Sequence, residues 1–390
     1  MRAPDADLII AGAGAAGWTL LHSLMQSPWR DRKFLMVDQS FEPRNDRTWC
    51  FWDKPPLYME ELLHGWGELD IVSRGEHLHG KLDRYRYACL SSGAYISHLK
   101  ERYWGASNVT YLEAEISGLD ESPDGEQAVI QTSRGERSAP WAVQSIVSPP
   151  GWDQAPLTNR LLQHFLGWEI VTDSPRFDPN RARLMDFDTE QLGGLTFFYL
   201  LPFSGNRALV EHTLFSGEVL PAAVYEEAIR EWLETEWGLQ EGTYRIERKE
   251  QGVIPMEDRR YRAPDSRIIH TGAVAGLAKP SSGYTFRQIV RHAKSMTEAL
   301  VAGDPPPQWP GNPYRFRIYD MMLLDLLVKE PEWGREVFHR LFERNDLERV
   351  LAFLNQETRV VQELGIFLSM PPGPFFRAIW RMKGRIFSGA

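Results

Sequence analysis

Residues 7–25 read DLIIAGAGAAGWTLLHSLM, and this stretch decides the fold. A short apolar run leads into Gly12-x-Gly14-x-x-Gly17, apolar residues then recur at helical spacing, and a second apolar run ends on Asp38. Strand, glycine turn, helix, strand and acidic residue is the order of a dinucleotide-binding unit, in which the helix N-terminus receives the pyrophosphate. We therefore predict FAD or NAD(P) binding, with the three glycines at the pyrophosphate and Asp38 on a ribose. The alternative is a glycine turn that only packs the strand against the helix.

The composition is that of an ordinary globular protein, since 43% of the 390 residues are apolar and 25% are charged. A chain of this length can form two or three lobes. The net charge is −9, and no long basic block occurs in the first 300 residues, which argues against nucleic acid as a partner.

Cysteine content and hydropathy bear on the compartment. Cys50 and Cys89 are the only cysteines, and they show no metal-binding spacing, so we expect free thiols in a reducing compartment and no metal site. No run of 18 apolar residues exists that could span a bilayer. Because the first predicted strand begins close to the N-terminus, we expect no signal peptide. These features predict a cytoplasmic protein, which could still touch a membrane surface.

The middle of the chain predicts an antiparallel sheet and one helix. Gly167–Thr172, Leu195–Pro202 and Ala208–Phe215 are rich in β-branched and aromatic residues between turn signals, which is typical of strands. Pro221–Gly238 carries apolar residues at helical spacing and predicts an amphipathic helix. Ser145–Val147 predicts a further short strand.

A second glycine-rich turn follows the sheet. A strand over Arg267–Thr271 is predicted to lead into a loop that contains Gly272, Pro280 and Gly283, and then into a helix over Thr285–Ala302. The positive end of that helix would face a flavin ring and stabilise negative charge on it. The alternative is a glycine-rich loop without a ligand.

This order predicts an α/β (α+β) fold in which a two-piece, Rossmann-like FAD-binding domain holds an inserted antiparallel-sheet substrate domain. A stretch with five prolines, Gly303–Pro313, separates a helical C-terminal segment that breaks at Pro331 and at Pro371–Pro374. The predicted boundaries are 1–73, 94–155 and 250–305 for the FAD-binding domain, 74–93 and 156–249 for the substrate domain, and 306–390 for the helical segment.

Six segments, in this order along nearly all of the chain, resemble those of FAD-dependent lycopene cyclases. They are the glycine fingerprint Gly12–Gly17, the N-x-T-W-x-F-like stretch Asn45–Phe51, the Y-x-Y-like segment Leu82–Cys89, the M-D segment Met185–Phe187, the hairpin Phe198–Thr213 that ends in an acidic E-x-T signature, and the flavin loop Gly276–Phe286. Any one of them could arise by chance, but the ordered set points to this family.

The resemblance implies a reaction as well as a fold. A lycopene cyclase closes β-ionone rings on the ends of lycopene or another linear carotenoid by acid catalysis, without net redox change. Reduced FAD would stabilise a carbocation, and NAD(P)H would serve only as the reductant of the flavin. Because the substrate dissolves only in lipid, a membrane surface is the expected route of access.

The resemblance also implies roles for individual residues. It gives Glu211 as the catalytic acid and Asp186 as a second candidate. The glycine turn and Asp38 are cofactor-binding candidates already. The resemblance adds Arg47, Thr48, Gly272, Pro280, Gly283 and Tyr284 to them. The aromatic candidates for the substrate pocket are Trp49, Phe198, Tyr199 and Phe203, for each of which plain core packing is the alternative.

Strand alternation supports the choice of Glu211. Leu209, Glu211 and Thr213 should share one face of their strand, whereas His212 should lie on the other. Burial in this apolar strand would raise the pKa of Glu211 and keep a proton available near neutral pH. The alternative is a carboxylate at the rim of the sheet, paired with Arg207.

The sequence departs from the family pattern at three places. His212 stands where the family signature often has a second acid, so any role that needs two adjacent carboxylates is in doubt. Ala273 stands where many flavoproteins have an aspartate that holds the ribityl chain. Ser148–Pro150 replaces the usual acidic or arginine-bearing end of the middle strand.

The C-terminal stretch Pro374–Phe387 mixes bulky apolar and basic residues, which suits a helix lying in a membrane interface. The alternative is a helix whose apolar stripe packs on the protein. The interfacial interpretation predicts a cytoplasmic protein that associates peripherally with the inner face of the cytoplasmic membrane.

Two alternatives to a cyclase stay open: a flavin monooxygenase or prenyl reductase on the same fold, and a non-catalytic escort protein for isoprenoids.

Overall fold

The computed structural model describes residues 3–387, and of Phe387 it describes only the backbone. Within this range the strands are, in chain order, β1 Leu8–Ala11, β2 Phe34–Asp38, β3 Thr48–Asp53, β4 His64–Trp66, β5 Glu68–Ser73, β6 Glu76–Lys81, β7 Arg86–Ser91, β8 Val109–Glu113, β9 Ile116–Glu121, β10 Ala128–Thr132, β11 Gly135–Ala139, β12 Ala142–Gln144, β13 Arg160–Thr172, β14 Arg181–Asp186, β15 Leu195–Ser204, β16 Arg207–Ser216, β17 Tyr244–Glu257 and β18 Ile268–His270. The α-helices are α1 Ala15–Met25, α2 Ser92–Tyr103, α3 Ala222–Trp237, α4 Phe286–Ala302, α5 Tyr314–Lys329, α6 Gly334–Glu343, α7 Leu347–Leu354, α8 Val360–Ser369 and α9 Pro372–Phe387.

Five parallel strands in the order β18-β12-β1-β2-β8 form the nucleotide half. The residues of β1 are buried on both faces, as expected for a parallel sheet covered by helices. Helices α1 and α4 pack on it through Leu20, Leu24, Met296 and Leu300. Because β18 comes from a distant part of the chain, the predicted two-piece α/β architecture is confirmed.

The predicted strand over Ser145–Val147 is wrong, because β12 ends at Gln144. The Gln144 side chain holds the next residues in a turn. Its Oε1 accepts the backbone N–H groups of Ile146 and Val147 at 2.8 and 3.0 Å, and its Nε2 donates to the Val147 carbonyl at 2.7 Å. These backbone groups therefore bond to a side chain instead of to a neighbouring strand.

A seven-stranded sheet in the order β17-β13-β16-β15-β14-β5-β6 forms the other half, with β5 and β14 as its parallel pair. It takes in residues 68–73 and 250–257, which lie just outside the segments 74–93 and 156–249 predicted for the substrate domain. One face of this sheet packs on α3 through Ile229, Trp232 and Leu233. The opposite face packs on the small sheet β3-β7-β4 and on the C-terminal helices.

The C-terminal helices cover the end of the seven-stranded sheet. Helix α9 packs against α5 through Ala378 and Met382, which contact Met321 and Met322. Its first residue is Pro372, a position where the missing N–H of proline is not needed by the helix. In the described part of the chain, no helix is both long and apolar enough to cross a membrane.

Candidate active site

A cavity lies between the seven-stranded sheet, the small sheet and the loop before α4. We call it the acid cavity, and its walls include Thr48, Trp49, Tyr199, Glu211, Glu250 and Tyr284. Strand β3 contributes the first two of these residues, and β15, β16 and β17 contribute the next three. The structure therefore brings together residues that are far apart in sequence, five of which were proposed in the sequence analysis.

Glu211 lies on the face of β16 that points into the acid cavity. Leu209 lines the same cavity, whereas Val210 packs on the α3 face, so the predicted alternation is confirmed. The Thr213 hydroxyl donates to Glu211 Oε1 at 2.7 Å. Arg207 pairs instead with Glu169, so it is not the partner of Glu211.

The environment of Glu211 favours its protonated form. Protein encloses the carboxyl group, whose remaining exposure is toward the cavity. This burial, and secondarily the negative charge of Glu250, raise the pKa of Glu211 to about 8. A carboxylic acid with such a pKa can donate a proton near neutral pH.

Glu250 is a residue of the site that the sequence prediction missed. Its Oε2 accepts a hydrogen bond from Thr48 Oγ1 at 2.7 Å and from the Arg248 guanidinium. A signal was present in the sequence: Ile254 and Met256 have the same parity as Glu250 along β17, so Glu250 belongs to the apolar face of this part of the strand. The many charged residues of β17 obscured that pattern.

His212 lies on the opposite face of β16, as the alternation predicts. Its ring stacks on Phe198 with centroids 4.5 Å apart. Burial lowers the pKa of His212 to about 4, so the ring is neutral near pH 7. His212 therefore contributes to the packing under α3 and does not line the acid cavity.

Asp186 and Phe198, both proposed for the site, also lie on the α3 face. The Phe198 ring stacks on that of Trp232 in α3, with centroids 4.8 Å apart. Asp186 on β14 is the register partner of Phe198. Asp186 Oδ2 accepts from Arg183 Nη1 at 2.6 Å. The structure does not bring either side chain to Glu211, because an alternating strand commits neighbouring residues to opposite faces.

The other proposed pocket and cofactor residues divide into two groups. Tyr199 and Trp49 line the acid cavity, but Phe203 packs against His64 with centroids 5.4 Å apart. Arg47 is exposed, and its guanidinium donates to the Asp46 and Gln251 carbonyls.

The loop before α4 fits closely against the sheet. Gly272 and Gly283 have φ of +74° and +70°, which favour glycine. A Cβ on Gly283 would lie 2.1 Å from Gln163 Oε1 of β13. Pro280 lies between these two glycines, and Gly283 itself lines the acid cavity.

The only two cysteines face each other at the edge of the acid cavity. Cys50 of β3 and Cys89 of β7 are direct register partners, and both are free thiols. Cys50 lines the cavity. The neighbouring Cys89 thiol and, secondarily, burial raise the pKa of Cys50, so it stays protonated.

An apolar cavity adjoins the acid cavity. Its walls come from the seven-stranded sheet and helices α5 to α9, and they include Phe215, Phe316, Phe338, Phe353 and Phe367. Ser282 and Tyr284 line both cavities. The rings of Tyr284 and Trp52 pack edge to face, with centroids 4.6 Å apart. An apolar ligand in the second cavity would therefore have one end close to Glu211.

The three glycines of the first turn have distinct roles. Gly12 has φ of +106°, and a Cβ on it would lie 2.5 Å from Ser145 Oγ. A Cβ on Gly17 would lie 1.9 Å from the Gly12 carbonyl oxygen, so this glycine permits the close approach of α1 to the turn. Gly14 is different, because a Cβ there meets nothing within 4 Å. The space in front of Gly14 is where the pattern places a pyrophosphate.

Asp38 ends β2 beside this turn. Its Oδ2 accepts the Ala13 backbone N–H at 2.6 Å, and its Oδ1 accepts that of Ser40 at 3.2 Å. Gly12, Asp38, Ser145 and Thr271 all lie at the carboxyl edge of the parallel sheet, where ligands bind in open α/β sheets.

Two buried polar atoms of the acid cavity lack a partner among the described residues. They are Gln163 Oε1 and Ser282 Oγ. Buried polar atoms are normally hydrogen-bonded, so these two are available to a bound polar group. The open space at Gly14 and these two unpartnered atoms are features that a bound dinucleotide would use.

Comparisons with known proteins point to one family. The family model described as lycopene cyclase protein matches residues 7–380. The lycopene beta-cyclase of Paracoccus sp. (strain N81106 / MBIC 01143) is 25% identical over an alignment of 281 positions that covers 64% of this chain and 61% of that protein. The lycopene beta-cyclase of Pantoea ananas is 25% identical over 302 residues, 73% of this chain and 72% of that protein. The chain thus spans about three fifths of the length of the Paracoccus relative.

Among solved structures, a probable FAD-dependent monooxygenase from Pseudomonas aeruginosa superposes with a TM-score of 0.55 at 15% identity, covering 90% of this chain and 99% of that one. This similarity shows the fold alone, an FAD-dependent monooxygenase-like α/β fold with a parallel Rossmann-like sheet. A fold of FAD-dependent flavoproteins suggests FAD as the dinucleotide.

The difference between Gly14 and Gly17 predicts that a substitution at Gly14 impairs cofactor binding, whereas a substitution at Gly17 impairs stability. Gly14→Val should fold, because Gly14 has φ of −84° and open space, but its side chain should exclude the pyrophosphate and give colourless protein. Gly17→Ala should instead lower the free energy of unfolding by about 1–3 kcal/mol through its backbone clash. Flavin absorbance and urea denaturation measure the two effects. Gly105→Val, at another open glycine, is the control. A folded Gly14→Val protein with stoichiometric FAD would contradict the prediction.

Proposed function

This chain belongs to the lycopene cyclase family, and we propose that it closes β-ionone rings on one or both ends of lycopene or another linear carotenoid. The observation that carries the proposal is an enclosed acid, Glu211, in a cavity that shares two wall residues with an apolar cavity. A hydrocarbon substrate needs the apolar cavity, and cyclisation of an alkene needs the acid. The reaction is an isomerisation, so no oxidant or reductant is consumed per ring.

Glu211 supplies the proton in this proposal. Its carboxyl group adds a proton to the terminal double bond, the resulting carbocation is attacked by a second double bond of the same chain, and loss of a proton leaves the ring. Thr213 already donates to Oε1, which leaves Oε2 as the oxygen that carries the acidic proton. The proton released at the end restores the number of protons bound to the enzyme.

The cofactor in this proposal is FAD. Reduced, anionic FAD would supply a negative charge for the carbocation, and NAD(P)H would serve only to generate that reduced form. The residues that would hold the cofactor are those of the first glycine turn, Asp38, Thr48, and the unpartnered Gln163 and Ser282. Burial keeps the phenols of Tyr199 and Tyr284 protonated, and their rings supply aromatic faces beside Glu211.

The apolar cavity excludes water from the reacting end. Its walls are aromatic and aliphatic apart from a few polar groups, of which Lys279 and Asp320 form a buried ion pair at 2.6 Å. With that pair satisfied, little in the cavity competes to quench a carbocation. Monooxygenation and reduction of the substrate remain the competing reactions on this fold.

In this proposal the protein lies peripherally on the inner face of the cytoplasmic membrane. The substrate enters from the membrane through the surface formed by α8 and α9. Val361, Leu364 and Leu368 form an exposed apolar stripe on α8, with Leu368 87% exposed. Phe376 and Trp380 form a second stripe on α9. Ile366 and Phe375, on the inward sides of the same helices, line the apolar cavity. A lipid surface would thus touch the outer side of the wall that encloses the substrate.

The C-terminal prediction is refined by this arrangement. The sequence left open whether the apolar residues of α9 face a membrane or pack on the protein. Phe375 and Ile379 pack on the protein, so packing accounts for the inward side of the helix. Phe376 and Trp380 are the outward half, and the Lys383 ammonium lies 3.7 Å from the Trp380 ring centroid. Aromatic rings beside lysine are typical of membrane interfaces. Helix α8 was not foreseen as part of this surface.

The proton source predicts the effect of two neighbouring substitutions. Glu211→Gln keeps the size and polarity of the side chain but removes the acid, so cyclisation should fall by about 10²–10⁴-fold or more while flavin content is retained. His212→Gln should cost less than tenfold, since its side chain lies under α3. Pigment analysis of purified enzyme incubated with lycopene in vesicles measures both. An active Glu211→Gln enzyme beside an inactive His212→Gln enzyme would refute the assignment.

The absence of net redox change predicts turnover without oxygen. Enzyme whose flavin has been reduced chemically should cyclise many lycopene molecules per flavin under anaerobic conditions without added NAD(P)H. Pigment product per flavin is the quantity to measure. At most one product per reducing equivalent would show instead a monooxygenase or reductase, and colourless protein that only retains lycopene would show an escort protein.

The exposed stripes predict membrane binding. Replacing Leu364, Leu368, Phe376 and Trp380 together by serine should reduce co-sedimentation with anionic phospholipid vesicles at least tenfold, because it removes the buried apolar area. Activity on detergent-dispersed lycopene should persist, since none of the four lines a cavity. Val219→Ser, at an apolar residue that is 49% exposed elsewhere, is the control. Unchanged sedimentation would exclude this surface.

A further inference from the structure

Glu211 and Glu250 meet across a glycine. Gly167 of β13 is the register partner of Glu211 on one neighbouring strand and of Glu250 on the other. Register partners in a sheet point to the same face. A Cβ on Gly167 would lie 3.3 Å from Glu250 Cγ and 3.5 Å from Glu211 Cβ. Both side chains therefore occupy the space above this glycine, which a larger residue would fill.

The two carboxyl groups have unequal partners. Glu250 accepts hydrogen bonds from the Arg248 guanidinium and from Thr48, and Arg248 Nη2 also donates to Thr48 at 2.9 Å. Glu211 accepts from the neutral Thr213 hydroxyl. Burial raises the pKa of Glu250 as well, but Arg248 and Thr48 oppose that rise. A single proton shared by the pair therefore resides on Glu211.

We propose that Glu250 is a positioning residue, an ionised carboxylate that makes Glu211 the proton-carrying member of the pair. The inference rests on the proposed role of Glu211 as the acid. Two carboxylates in one enclosed site cannot both ionise at low cost, so an anchored negative charge holds a proton on its neighbour. Glu250 thus supplies the second carboxylate that residue 212 does not.

The remaining groups that face Glu211 do not replace this effect. They are Cys50 on β3, Tyr87 on β7, Tyr199 on β15, Tyr284 before α4, and Arg248 on β17. Burial raises the pKa of all three phenols, and the Cys89 thiol together with burial raises that of Cys50, so these groups stay neutral through the range in which Glu211 titrates. Arg248 is the one of these groups that is charged, and it favours the ionised form of Glu211. Glu250 is therefore the group whose charge opposes ionisation.

The experiment is an infrared pH titration of the carboxyl bands of the flavin-containing protein. The band of Glu211 is assigned by its loss in Glu211→Gln. In the wild-type protein we expect two separated carboxyl steps, with the upper one belonging to Glu211. In Glu250→Gln the midpoint of the Glu211 step should move down by about one pH unit, since the negative charge that opposed ionisation is gone. An unchanged midpoint would overturn the inference.

Two variants separate the charge of Glu250 from general damage to the network. Glu169→Gln removes another carboxylate that binds Arg248, at 2.8 Å, but Glu169 does not line the acid cavity. It should leave the Glu211 midpoint in place. Glu250→Asp keeps the negative charge, so the midpoint of the Glu211 step should stay close to its wild-type value. Should Glu250→Gln fail to fold, the wild-type titration decides, because two carboxyl steps that coincide at ordinary acidic pH exclude a coupled pair.

The titration also separates this inference from the proposed function. If Glu211 acts as the acid, cyclisation is lost as pH rises through its pKa, so the alkaline limb of the rate profile should shift to lower pH in Glu250→Gln by the same amount as the infrared midpoint. If Glu211→Gln still cyclises lycopene at the wild-type rate, the role of Glu211 as the acid fails although the infrared shift in Glu250→Gln persists; if the wild-type protein does not cyclise lycopene, the proposed function fails and the infrared shift again persists. If the infrared midpoint does not move, Glu250 has no such role even where the enzyme is a cyclase.

Discussion

Burial of the seven-stranded sheet on both faces determines what every side chain of β16 can do. Helix α3 covers one face, and the small sheet and C-terminal helices cover the other. Because side chains alternate along a strand, a carboxylic acid one residue away from Glu211 would lie under α3 among tryptophans. The burial that holds the sheet together also removes water from Glu211 and makes its proton available. Stability of the fold and acidity of the site therefore depend on the same packing.

The site is assembled where the two sheets meet, and neither half could form it alone. The parallel half supplies the glycine turn and Asp38, and the loop before α4 carries Ser282 and Tyr284 to the shared wall of the two cavities. The seven-stranded sheet supplies Glu211 and Glu250. Parallel sheets place loops at their carboxyl edge, whereas antiparallel sheets offer a face, so a polar cofactor and an apolar substrate can meet at the boundary.

The sequence predicted those features that depend on local pattern. The glycine turn, the parallel sheet and the side of β16 that bears Glu211 follow from spacing and alternation, which are properties of neighbouring residues. Phe198 was misplaced because it and Tyr199 are neighbours on β15 and cannot share a face, and Asp186 was misplaced because a bulge in β14 shifts its register. The strand predicted over Ser145–Val147 failed because Gln144 competes for its backbone hydrogen bonds. Helix α8 was overlooked as a surface because its exposed stripe is apolar, as a buried stripe would be.

The replacement of the family's second acid by His212 has a geometric explanation. Residue 212 faces α3, where burial disfavours charge, and a neutral histidine ring stacked on Phe198 fits that environment. A carboxylate at 212 could not approach the cavity without a shift of one residue in the whole strand, which would turn Glu211 away. A second carboxylate for the cavity must come from another strand, at a position that faces Glu211. Gly167 leaves that position open, and Glu250 occupies it beside the arginine that holds its charge.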